Sequence, residues 1–192
     1  MAFSAKIGNM QDTSENRCGA SANTNRWPSI ITTVAITAIV TALAYNPLSI
    51  LLYKIGEPYF RYPVKGKIVI RNDSFGEGNF GAKRNGGRSH NGIDILASVG
   101  TPVYAAKSGI AFCGNVPTGY GKYVMIYHPD GLQTMYGHLS EQKVYSGKRV
   151  RRGEPIGLVG KTGNAANKYM EPHLHFEIRS RGEPVDPQPL MR

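Results

Sequence analysis

Four of the five histidines of this 192-residue chain lie in short, glycine-punctuated segments beside other polar groups. SHNGID places His90 and Asp94 four residues apart, TMYGH ends on His138, and PHLHFEIR carries His173 and His175 one residue apart. One carboxylate and two imidazoles make a tetrahedral zinc set with a position left open for water, the arrangement that a hydrolytic metal site needs. Two histidines would then remain to take a proton from a metal-bound water, pass one to a leaving amine and hydrogen-bond a developing oxyanion. Spacing alone does not say whether His173 or His175 is the ligand. A lone strand histidine is more often a satisfied core or surface group, so each segment by itself carries little.

The elements that would hold these groups are read from periodicity. HLHFEIR alternates polar and apolar residues with the period of a half-buried strand. His173, His175 and Glu177 therefore share one face while Leu174, Phe176 and Ile178 point into a core. Neighbours on such a face sit roughly 6.5 to 7 Å apart, close enough to serve one site. Further strands are expected at 67–71, 102–106, 109–113, 122–128, 132–138 and 155–160. The PDG turn, Pro129 to Gly131, closes a hairpin between the middle pair. His128 abuts that turn and reads as structural or exposed. Gly92 and its neighbours argue for a loop running into a strand at Asp94 rather than a helix, with Ile93 and Ile95 pointing inward. Residues 75–89, mostly Gly, Asn and charge, read as a loop. With 23 glycines to serve the turns, the soluble part is expected to be all-β, a compact antiparallel sheet or barrel.

These segments, in this order, resemble the lysostaphin-type (LytM-like) zinc endopeptidases. The resemblance rests on SHNGIDI, GTPVYAA, GYGKYVMI, TMYGHLS, the VxxGxxVxxGEPIGLVGKTG run, PHLHFEIR and the closing PVDP, and it covers roughly Tyr62 to Pro187. It implies a barrel-like β-sheet groove, one Zn2+ per domain and hydrolysis of peptide stems or cross-bridges of bacterial peptidoglycan. It makes His90, Asp94 and His175 the metal ligands and His138 and His173 the catalytic pair. None of the five is missing, whereas some relatives that have lost these positions act only as binding or activating modules. Glu177 reads as a solvated or structural carboxylate. The glycine-spaced run before Lys161 also has the pattern of a lipoyl- or biotinyl-type hairpin, but its flanks do not fit and the histidines would go unexplained.

The rest of the chain divides by composition into a polar, disordered tail over 1–26, a membrane anchor or signal segment over 27–53, and the zinc peptidase domain over 54–192. Residues 27–53 carry no charge and are long enough for a bilayer-spanning helix. An uncleaved anchor is favoured over a cleaved signal peptide because the polar leader is long, although Ala42 and Ala44 form an AxA pattern. A buried core helix is disfavoured, since no later amphipathic stretch would cover it. Lys54, Arg61, Lys65, Lys67 and Arg71 follow the span, so the positive-inside rule does not support export of the domain. The substrate class does, placing it on the periplasmic or cell-wall side of the inner membrane, or secreted after cleavage. A net charge of +10, densest in KRVRRG, suits acidic polymers or a membrane surface. Nucleic acid is not expected, because no aromatic residues interleave the basic ones. Cys18 and Cys113 are not expected to pair, and Cys113 reads as a small buried hydrophobe.

Overall fold

The computed structural model describes residues 27–192, so the expected tail over 1–26, with Cys18, lies outside the described residues. They fall into two units that meet between Ala44 and Tyr45. One long helix, α1, runs from Trp27 to Gly56. Its segment Ile30–Gly56 is long and apolar enough to cross a membrane. Its apolar side chains are uncovered, Ile31 at 65% and Leu43 at 70% exposure, which rules out a core helix. The threonines suit an apolar surrounding: Thr37 donates to the carbonyl of Thr33 at 2.8 Å and Thr41 to that of Thr37 at 2.7 Å. Each hydroxyl is thus satisfied within the helix.

The unit from Tyr45 onward is built of short strands. β1 (Asn72–Asp73) and β2 (Gly76–Glu77) form a small hairpin whose second strand falls in the expected loop. The main sheet comprises β3 (Ile93–Leu96), β4 (Pro102–Tyr104), β5 (Gly109–Asn115), β6 (Lys122–Tyr127), β7 (Leu132–Gln142), β8 (Arg149–Val150), β9 (Pro155–Val159), β10 (His173–Ser180) and β11 (Glu183–Val185). Its order is β11-β10-β7-β6-β5-β8; β3 also pairs with β10, and β9 bridges β7 and β4. Every strand pair is antiparallel, as expected for the all-β domain.

Three expectations are corrected. Residues 67–71 form no regular strand: they meet β3 through a single bridge, Ile70 to Ile95, flanked by backbone bonds from Leu96 to Val69 and from Arg71 to Asp94. β7 does not end at His138 but runs on to Gln142, changing partner there. It pairs with β10 as far as Gly137 and with β9 from Leu139. Cys113 is half-buried rather than buried, its thiol donating to the Val144 carbonyl at 3.1 Å.

The core follows the strand alternation. Ile93 and Ile95 of β3, Val124 and Ile126 of β6, and Leu174, Phe176 and Ile178 of β10 are all at most 1% exposed. Burying each such side chain contributes about 1.5–3 kcal/mol. At one end of this core His128 is buried and structural. Its Nδ1 donates to the Ser108 carbonyl at 2.9 Å and its Nε2 faces the Thr134 hydroxyl at 3.0 Å, which is linked in turn to the Tyr136 hydroxyl.

Burial pushes the His128 pKa down, against weaker upward pulls from the Ser108 carbonyl and the Asp130 carboxylate. In the unfolded chain the same imidazole titrates near 6.5. Its stabilising contribution is therefore present above that pH and is lost as pH falls towards the lower folded value, because the unfolded state then binds the extra proton. Unfolding free energy measured between pH 7.5 and 5.5 should fall less steeply in His128→Gln than in the parent, by at most about 1.4 kcal/mol per pH unit. Identical slopes would show that His128 does not titrate on unfolding.

Candidate metal centre and active site

β10 lies between β3 and β7, and its register brings the polar groups together. His175 stands opposite Asp94 on β3 and opposite Gly137 on β7. The turn from His90 to Asp94 crosses β10 so closely that a Cβ on Gly92 would lie 2.2 Å from the Phe176 carbonyl oxygen. Only glycine allows this pass, and the pass carries His90 over the same sheet face as Asp94 and His175.

Three atoms converge there. His90 Nε2 lies 3.0 Å from His175 Nδ1 and 3.0 Å from Asp94 Oδ1, and His175 Nδ1 lies 2.8 Å from Asp94 Oδ1. Each ligand candidate is held from behind. His90 Nδ1 faces the Asn79 carbonyl at 2.9 Å and His175 Nε2 faces Glu177 Oε1 at 2.9 Å. The far oxygen of Asp94, Oδ2, accepts from Arg71 at 2.9 Å and Arg84 at 3.2 Å. A carbonyl and a carboxylate only accept, so the outer ring nitrogens must carry the protons. The two inner nitrogens and Asp94 Oδ1 are then three lone pairs facing one another, which repel unless a cation lies among them.

The titration behaviour carries the same demand. Desolvation alone would raise the Asp94 pKa, but hydrogen bonds and charge from His175 and His90 hold it well below the carboxylate range. Desolvation alone would lower that of His175, yet Asp94 and Glu177 raise it to about 9. A metal-free centre thus draws a proton to His175. Tetrahedral zinc with nitrogen and oxygen donors has donor–donor edges of about 3.3 Å, so separations of 2.8–3.0 Å need open by only a few tenths of an ångström. The set of two imidazoles and one carboxylate fits zinc.

His138 and His173 are brought to the same place, their ring centroids 5.0 Å apart, with His138 5.7 Å from His175. His138 Nδ1 donates to the Thr162 carbonyl at 2.9 Å and His173 Nδ1 to the Glu171 carbonyl at 2.7 Å. Both Nε2 atoms are left as acceptors. Burial, reinforced by the neighbouring imidazoles, pushes His138 down to about 3, and burial lowers His173 as well. His138 has φ 61°, an unfavourable left-handed conformation for a non-glycine residue, at the residue where β7 changes partner.

Several functional groups escaped the sequence reading. Of the two expectations for Glu177 the structural one holds, since it is fully buried and besides His175 accepts from the Tyr120 hydroxyl at 2.9 Å and from Arg179 Nε at 2.7 Å, but its contact with His175 was not foreseen. These partners satisfy a carboxylate that burial would otherwise penalise. Its position two residues beyond His175 on one strand face was a usable signal. Arg71 and Arg84 were not identified because they meet Asp94 only through long-range packing.

Comparison with known proteins supplies the context. The profile of peptidase family M23 matches residues 88–187. The DD-carboxypeptidase/endopeptidase Mpg of Neisseria meningitidis serogroup B is 46% identical over 100 residues, covering 52% of this chain and 22% of its own. The murein hydrolase activator NlpD of Salmonella dublin is 33% identical over 129 residues, covering 67% of this chain and 30% of its own. The chain thus spans less than a third of the length of these two curated relatives. Among solved structures, a zinc containing peptidase from Vibrio cholerae superposes with a TM-score of 0.54 at 35% identity, covering 66% of this chain and 38% of that one.

Proposed function

This chain belongs to peptidase family M23, and on that premise we propose that it is a zinc-dependent endopeptidase that hydrolyses peptide cross-links of bacterial cell-wall peptidoglycan. The observation that carries the reading is the convergence of three donor atoms, from His90, Asp94 and His175, on one buried point, with each imidazole's outer nitrogen bound to an acceptor behind it. Zinc bound there would supply Lewis acidity and lower the pKa of a bound water.

The remaining roles belong to the chain. His173 Nε2, neutral because burial lowers its pKa, accepts the proton of the attacking water. His138 Nε2, unprotonated at rest beside His173, takes over the proton that His173 removed from the water and delivers it to the leaving amine. Arg71 and Arg84 hold Asp94 Oδ2, so that Oδ1 alone faces the centre. Glu177, fixed by Tyr120 and Arg179, holds the His175 ring and raises its basicity as a ligand. The helix serves as an uncleaved membrane anchor, with residues 54–192 on the side that holds the cell wall.

Treating the full chain with a chelator should abolish release of cross-linked peptides from purified peptidoglycan, and one equivalent of zinc should restore it. Folded, zinc-loaded protein that leaves every cross-link intact would sink the enzyme reading. It would favour the second reading, a non-catalytic module that binds peptidoglycan and activates a partner hydrolase, which the similarity to NlpD supports. The complete set of converging donors with two further basic nitrogens weighs against that alternative, since a module that only binds has no use for them.

A further inference from the structure

The last turns of α1 belong to the same unit as the sheet and are fastened to it at Ser108. The Tyr53 hydroxyl donates to the Ser108 carbonyl at 2.9 Å, and the Glu57 carboxylate accepts from both the amide and the hydroxyl of Ser108. The Arg152 amide donates to the same hydroxyl at 2.9 Å, and its guanidinium reaches the Gly56 carbonyl at 3.4 Å. Lys107, held by Asp130 at 2.7 Å, lies over the Tyr53 and Phe60 rings. The apolar segment Ile30–Gly56 ends on these turns, so residues that touch them lie at the membrane surface once the helix is inserted.

The side of the sheet that carries the Ser108 hydroxyl continues as an apolar strip. Side chains alternate along β5, so Ile110 and Phe112 follow Ser108 on one side while Ala111 is buried on the other. Tyr127 of β6 stands opposite Ile110, and its ring packs edge-on against Phe112 with centroids 5.1 Å apart. All three are uncovered, Ile110 at 37% and Phe112 and Tyr127 at 44% exposure. The strip reaches roughly 13 Å from Ser108, four residues at about 3.3 Å each.

Cations border this strip. Exposed Arg149 of β8 is the other register partner of Ile110, and register partners share a sheet face. Exposed Arg61 lies at the turn that follows Arg152, where a Cβ on Gly153 would be 3.8 Å from its Nη1. Neither arginine forms an ion pair among the described residues, while Glu57, Asp130 and Glu154 are engaged by Ser108, Lys107 and Lys148. Aromatic rings edged with arginine suit the headgroup layer, where rings settle at the interface and cations meet anionic lipid.

Resting on the reading of α1 as a membrane anchor, we infer that Ile110, Phe112 and Tyr127, with Arg61 and Arg149, form a second foothold that docks on anionic phospholipid headgroups of the same membrane. The arginines pair with headgroup phosphates and the strip enters the interface. With the fastening at Ser108 this makes two points of support, which hold the sheet in one tilt over the bilayer.

The test reads insertion and docking with separate indoles. Trp27 is the one tryptophan of the chain and reports the helix. Trp27→Phe/Phe112→Trp moves the indole to the strip. Both full chains are reconstituted in nanodiscs of phosphatidylglycerol or phosphatidylcholine, with or without bromine on the acyl chains next to the headgroup, and quenching by bromine is measured. Trp27 should be quenched in both lipids. The strip indole should be quenched in phosphatidylglycerol, far less in phosphatidylcholine, and less as salt is added. Adding Arg61→Gln/Arg149→Gln should lower its docked-to-free ratio in phosphatidylglycerol roughly 25-fold, at about fivefold for each cation near an anionic surface. Zinc content and unfolding midpoint should not change.

A strip indole quenched equally in the two lipids, or equally with and without the two arginines, would overturn the inference. Trp27 quenched while the strip indole is not would remove the foothold and leave the anchor standing. The reverse pattern would uphold the lipid-binding face and count against the anchor. A strip indole that ignores lipid but is shielded from aqueous iodide by purified peptidoglycan would assign the face to the wall and overturn the inference.

Discussion

Asp94→Asn is expected to strip the metal from the centre while leaving the fold standing. The amide is isosteric, but its oxygen is neutral and a far weaker donor, and the two imidazoles that remain bring no charge. Zinc affinity should fall by more than the roughly 10- to 100-fold produced by removing an outer partner, and cross-link cleavage should fall with it. The choice of Asn matters because Asp94 also receives Arg71, whose side chain is 3% exposed. Asp94→Ala would leave that buried guanidinium without one of its two carboxylates, and removing one partner of a buried pair costs about 3–5 kcal/mol. A loss of zinc in Asp94→Ala could then simply reflect unfolding. In Asp94→Asn, Arg71 keeps Asp73, and the side-chain oxygen at Oδ2 can still accept if the amide is so oriented. Metal per chain after gel filtration reads the affinity. The unfolding midpoint with and without zinc reads the linkage, since a ligand bound only by the native state raises it. The parent should be stabilised by zinc and the variant should not. A variant that keeps one zinc per chain and its zinc-dependent midpoint would remove Asp94 from the centre.

The sequence carries the direction of side chains well and their partners poorly. Alternation along HLHFEIR correctly places Leu174, Phe176 and Ile178 in the core and points His173, His175 and Glu177 to one face, because the period of two follows from backbone geometry alone. The PDG turn likewise sets the β6–β7 hairpin, with Gly131 at φ 84°. KIVIR has the same local pattern as these strands and still forms none. One edge of β3 is occupied by β10, and the irregular segment reaches the other through isolated bonds. Whether a partner edge is available is a property of the whole sheet, which periodicity does not contain.

The same limit governs the site. Proximity of His90, Asp94, His138, His173 and His175 was legible only through the resemblance to a family, since no short-range rule brings β3, β7 and β10 together. Glu177 was within reach of the strand argument, but what makes its burial tolerable is Tyr120, 57 residues away. The strained backbone at His138 arises where β7 leaves β10 for β9, an exchange that leaves no mark in TMYGHLS itself.

The two histidines of PHLHFEIR should separate cleanly: His173→Ala keeping zinc and losing hydrolysis, His175→Ala losing both. They share a strand face but present different nitrogens. His175 directs Nδ1, the ring nitrogen nearer its backbone, at Asp94 Oδ1 from 2.8 Å, and its register partner is Asp94 itself. His173 pairs in register with Leu96, and its Nε2 lies 3.9 Å from the same oxygen, beyond hydrogen-bond distance. Their outer partners differ in the same sense. The Glu177 carboxylate makes His175 a stronger electron donor, whereas the neutral Glu171 carbonyl behind His173 orients the ring without charging it. A ring held this way, with Nε2 left as an acceptor facing the centre and its pKa lowered by burial, is suited to accept a proton rather than to bind the ion. Removing it should cost about 10²- to 10⁴-fold in rate, the contribution of a positioned general base, with metal content and unfolding midpoint near those of the parent. Zinc lost from His173→Ala, or cleavage undiminished in it, would break this division of labour. Cleavage lost with zinc retained would assign the chemistry to His173 without recourse to any relative.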